Sequence, residues 1–99
     1  MIRKQYLGDG VYVDVDRRDA WSNRALEICY RVLRSVSPTV SHEQREMMLR
    51  ILLRQLNEQL CTCLRKRDFE AGELYIDKFE IALRHGIDTL NKEPLTLTH

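Results

Sequence analysis

Residues Ser41 to Arg67 read SHEQREMMLRILLRQLNEQLCTCLRKR, and this stretch decides the fold class. Ser41, followed by Gln44 three residues later, forms a capping box, in which each side chain satisfies the other residue's backbone N–H at a helix start. Glu43 adds negative charge where the helix dipole is positive. Leu49, Leu52, Leu53, Leu56, Leu60, Cys63 and Leu64 recur at three- and four-residue steps. Met48, Ile51 and Cys61 widen that stripe beyond what one partner helix needs. Arg65, Lys66 and Arg67 close the segment at the negative end of the dipole. The pattern predicts a helix over about 41–66.

The helical period continues on both sides. Upstream, Trp21, Ala25, Ile28, Cys29, Val32, Leu33 and Val36 predict a helix over about 19–35, with Asp19 as N-cap. Arg17, Arg24 and Arg31 repeat every seven residues on another face. Ser37-Pro38-Thr39 breaks this helix, because proline disfavours helical geometry in the residue before it. Downstream, Asp68 caps a helix over about 68–85, with Gly86 as the terminating residue. Phe69, Gly72, Ile76, Phe79 and Leu83 share its core face. Leu74 and Ile81 align on the opposite side as a second contact surface.

Only the front of the chain departs from this period. In Tyr6–Asp16, Val11, Val13 and Val15 alternate with Tyr12, Asp14 and Asp16, the period of a half-buried strand. Gly8-Asp9-Gly10 supplies turn residues, so Ile2–Leu7 and Val11–Val15 are predicted to pair as a short hairpin. A lone two-stranded hairpin is marginal in water and must be covered by the helices or by another chain. Val11, Val13, Val15, Leu74 and Ile81 are therefore the expected self-association residues of a homo-oligomer. The expected fold is mostly α: a three-helix antiparallel bundle preceded by a short β-hairpin or strand. It forms one domain over 1–91, with a flexible tail over 92–99.

At 99 residues, with 43% hydrophobic and 31% charged side chains, the chain has room for one modest soluble core. No apolar run approaches the ~18 residues of a membrane span, and no signal peptide is read at the front. A cytoplasmic location without a membrane partner is expected. The net charge of +1 hides an asymmetry: residues 17–67 carry eleven Lys/Arg against five Asp/Glu, and residues 68–99 carry three against seven. The basic block thus has an acidic partner inside its own chain. A salt-bridged or solvated face is the plainer reading of these arginines, and an anion-binding surface the sharper one. Near-neutrality argues against duplex nucleic acid as a partner.

Chemistry is sparse. Three cysteines, an odd number, argue against a disulfide framework, and Cys29, Cys61 and Cys63 are expected to be small core residues. His42, His85 and His99 lack metal-ligand spacing. Gly8-Asp9-Gly10 precedes a strand rather than a helix, unlike a phosphate loop. Asp9, Asp14 and Asp16 lack the spacing of a calcium loop. No catalytic residue, metal or cofactor is expected, and the chain reads as a non-enzyme.

Three partial resemblances add expectations. Tyr6–Asp16 resembles the opening of small uncharacterised phage and prophage proteins that begin with a Tyr-Leu-Gly-Asp-Gly-Val-Tyr-like segment, which implies a phage or mobile-element origin. The helical part, from Pro38-Thr39-Val40-Ser41-His42-Glu43-Gln44-Arg45 through the leucine stripe, resembles the hairpin domain of phage anti-defence sponges that sequester cyclic nucleotide signals. That likeness implies a symmetric oligomer holding an anionic nucleotide ligand, with Tyr12, Trp21, Tyr30, Arg24, Arg31 and Arg45 as its candidate contacts. Leu60–Leu83 looks like one tetratricopeptide-type helix pair, which implies a small secretion-type chaperone. The expected function is a phage-encoded interaction protein that binds and modulates a host protein, using leftover apolar residues and the arginines. The sponge and the chaperone are the alternatives.

Overall fold

The computed structural model describes residues 3–92. A two-stranded hairpin, β1 (Lys4–Gly8) and β2 (Val11–Asp14), leads into three helices, α1 (Val15–Leu33), α2 (His42–Lys66) and α3 (Phe69–Lys92). The hairpin and three-helix bundle are those expected. The expected tail over 92–99 lies, past Lys92, outside the described residues.

Central in the bundle, α3 buries Ile76, Phe79, Leu83 and Ile87 between its two neighbours. Met48, early in α2, meets Gly86, late in α3, so these helices run antiparallel. Arg24 of α1 reaches Glu73 and Asp77, and Arg31 reaches Glu80, so α1 runs beside α3 in the same sense. This up-down-up order follows from short links between amphipathic helices. The molecule is elongated, 54 × 23 × 18 Å.

The helix ends are where sequence and structure differ most. The N-cap of α1 is Asp14, whose Oδ1 accepts the Arg17 backbone N–H at 2.9 Å, and not Asp19. Val15 therefore starts the helix and does not extend the strand. An early carboxylate able to reach an unpaired helical N–H wins over strand alternation. Arg3 donates to Asp16 Oδ1 at 2.6 and 2.9 Å, tying the chain ahead of β1 to the first turn of α1. That hydrogen-bonded guanidinium holds the Asp16 carboxyl below its ordinary range. The other end of α1 falls at Leu33, before Ser35. The box at Ser41 and Gln44 and the cap at Asp68 both form as expected, the latter accepting from the Ala71 N–H at 3.2 Å.

Expected to end at Gly86, α3 instead continues to Lys92. Ile87, 1% exposed, rewards the extra turns by burial. Asn91 then fastens the α1–α2 loop, accepting from the Ser37 N–H at 2.8 Å and donating to the Ser35 carbonyl at 3.0 Å. Gly86 serves as a point of close approach, since a Cβ there would lie 2.6 Å from Met48 Sδ.

In the hairpin, Tyr6 pairs with Tyr12 and Gln5 with Val13, with a register shift before Gly8 pairs Val11. Gly8, Asp9 and Gly10 all take positive φ, as this tight turn requires. The two tyrosine rings lie 5.0 Å apart on the exposed face, while Val13 joins the core. The helices shield that valine within one chain. The Val11 side chain lies outside the described set.

Gly72 carries the tightest contact. A Cβ there would fall 2.8 Å from Trp21 Cζ3 and closer still to two other ring atoms. The buried indole cannot retreat, so Gly72→Ala should destabilise the protein by about 3 kcal/mol. Gly86→Ala meets only a flexible methionine tip and gains about 1 kcal/mol of helix propensity, so it should cost far less. Urea unfolding of the two variants tests this ordering.

Candidate interaction surface

The arginine repeat of α1 lies along the acidic side of α3. Arg24 engages both Glu73 and Asp77, the latter at 2.5 Å, and Arg31 donates to Glu80 at 3.0 Å. Arg17 stands 4.0 Å from Glu73, and its guanidinium lies 4.4 Å from the Phe69 ring centroid. Three arginines of the basic block thus meet three carboxylates of the acidic block across one helix interface. These partners are 28–58% exposed, so each pair adds only a few tenths of a kcal/mol to about 1. Arg24→Ala, which removes two partners, should lower stability by about 1 kcal/mol at low ionic strength. The loss should shrink in 1 M salt, as thermal melts at the two ionic strengths will show.

The expected ligand contacts are scattered. Trp21 is 2% exposed in the core, with its Nε1–H donating to Glu73 at 3.1 Å, so it has no face to offer a base; this corrects its reading as a contact residue. Arg24 and Arg31 are held by α3. Tyr12 lies on the hairpin beside Leu64 and Arg67, at the end of the bundle where α2 meets α3. Arg45 sits in the first turns of α2, at the opposite end, against His42 at 3.1 Å. Tyr30 is 70% exposed on α1. The bundle does not bring these six residues together. Leu74 and Ile81 are exposed as expected.

Apolar surface gathers elsewhere. On the side of the α2–α3 pair away from α1 runs a groove of about 550 Å³, floored by Met48, Leu52, Ala82, Gly86 and Leu90. Met47 and Ile51 form its outer lip, 65% and 60% exposed. Gln44 and His85 are its polar members. The groove continues past Ala82 into a smaller hollow lined by Gln55, Gln59, Tyr75 and Lys78. Charge-poor, methionine-bearing and flanked by aromatic residues, it has the make-up of a protein interface core. The sequence signal for it was the over-wide α2 stripe, but which part stayed uncovered was not readable.

The described residues hold no cluster of three His, Cys, Asp or Glu side chains that could bind an ion. No helix among them is long and apolar enough to cross a membrane. Cys29 and Cys63 are buried and their thiols pushed up by burial, while Cys61 is exposed, against expectation. Two residues from Cys63 on a helix, it points away from the core. One thiol, lost in Cys61→Ser, should react quickly with a thiol reagent in the native protein, and all three in denaturant.

Fold and surface together define a small helical bundle with an open apolar groove. Compared with known proteins, the chain matches no family model, no curated sequence and no solved structure.

Proposed function

We propose that this chain is a non-enzymatic interaction protein of phage origin, which binds and modulates a host protein by seating one of its helices in the α2–α3 groove. The observation that carries this reading is the groove itself. Two parallel walls, with α1 already covering the opposite side, leave room for a fourth helix and thus for a completed bundle. The fitting occupant is an amphipathic helix whose apolar face covers Met48, Leu52 and Leu90. A carboxylate beside that face would meet Lys78 in the hollow past Ala82. Burying this surface stabilises the complex at roughly 25 cal/mol per Å² of apolar area, less the costs of association. The phage resemblance of Tyr6–Asp16 supplies the setting, a host cell whose proteins are the targets.

Ala82→Arg places a long cation across the groove floor without touching the core. Affinity capture from host extract should retain a specific protein on the wild type and lose it on this variant. Equal recovery on both would remove the groove from the account, and no specific capture by either would remove the reading.

A further inference from the structure

The first half of α2 is apolar nearly all the way round. From Met47 to Leu53 only Arg50 is polar, yet none of the other six side chains is fully buried. The second half of the same helix buries Leu56, Leu60, Cys63 and Leu64. A helix apolar on every side belongs inside an assembly. α3 and α1 flank this segment on two sides, and its outward side, centred on Met47 and Ile51, has no cover among the described residues.

The charges beside that outward side say what covers it. Along one edge of α2 run Glu43, Glu46, Arg50 and Arg54, two acids followed by two bases at three- and four-residue steps. Met47 and Ile51 lie next to this edge, and the midpoint of the apolar pair nearly coincides with the midpoint of the charged four. Such an order is self-complementary in an antiparallel pairing. A two-fold axis near Leu49 sets Met47 of one copy against Ile51 of the other. It also sets Glu43 against Arg54 and Glu46 against Arg50, each twice. A parallel pairing would instead set this charged edge against the partner's other edge, where Gln44, Met48 and Gln55 offer no charge.

We propose that the outward face of α2 docks a second copy of this chain, making an antiparallel α2–α2 dimer. Among the described residues Glu46 has only His42 at 3.6 Å, and Arg54 only Glu58 at 3.8 Å, both one helical turn away and well exposed. These weak contacts yield readily to the partner's charges. The contact spans about three turns of each helix and sits at the small end of stable interfaces, below about 1,200 Å² in total. The dimer is therefore reversible in the micromolar range, and its order of charges selects orientation more than it adds affinity. It leaves Met48, Leu52, Ala82 and Leu90 facing the groove, so the two surfaces meet only at Met47 and Ile51.

Sedimentation velocity across 1–200 µM, in low salt, tests the pairing with two charge variants. Glu43→Arg with Glu46→Arg makes the edge wholly basic, and Arg50→Glu with Arg54→Glu makes it wholly acidic. Circular dichroism checks that both retain the helical fold. The wild type should dimerise, each variant alone should self-associate at least tenfold more weakly, and an equimolar mixture should form a heterodimer. A wild type that stays monomeric at 200 µM overturns the proposal, as do variants that dimerise like the wild type or a mixture that does not pair. None of these substitutions lines the groove, and Ala82→Arg leaves the outward face of α2 intact. Failure of the dimer and failure of the groove are thus read separately.

Discussion

The bundle depends on the seat of Trp21 against Gly72. The indole needs a side-chain-free patch on α3, and Gly72 is the position that provides it. Phe69 meets the same ring edge-on at 6.2 Å, and Glu73 accepts its N–H. Glu73 in turn holds Arg24, and Arg17 covers Phe69. One aromatic contact therefore fixes the register of α1 along α3, and the ion pairs farther along follow from that register. A buried tryptophan with its N–H satisfied is worth more than the exposed charges arranged around it.

That arrangement reassigns the arginines. A basic strip on a helix invites an anionic ligand, but Arg24 and Arg31 are spent on the carboxylates of α3. Of the other expected contacts, Tyr12 and Arg45 lie at opposite ends of the molecule, separated by most of α2. The sequence motif was real, with a seven-residue period that recurs as a line of contacts between two helices whose register Trp21 already sets.

α2 carries more apolar residues than its neighbours bury. Its second half is enclosed by α1, α3 and the hairpin end of the bundle, while its first half is left with a groove on one side and a bare face on another. Gly86 allows Met48 to approach α3 closely, and Ile87 and Asn91 extend α3 far enough to form the groove's second wall. Had α3 stopped at Gly86, Leu90 would not line it.

Much of the fold was legible in the sequence because it rests on local rules. Capping at Ser41 and Asp68, the breaking of the chain at Pro38 and the two-residue turn of the hairpin each involve atoms within a few residues of one another. So does the helical period itself. Other features depend on atoms distant in the chain. Nothing near Gly86 says that a helix should run through it, since the gain comes from Ile87 reaching a core built by α1 and α2. Asp14 and Asp19 are both acceptable caps locally, and the hairpin's attachment chooses between them. Burial of Trp21 and exposure of Cys61 likewise follow from where the neighbouring helices lie. By itself the sequence determined which segments are helices and that their apolar surface exceeds the needs of one small core. Only the tertiary structure decided where the excess remains, because a residue's burial is set by helices packed against it from elsewhere in the chain.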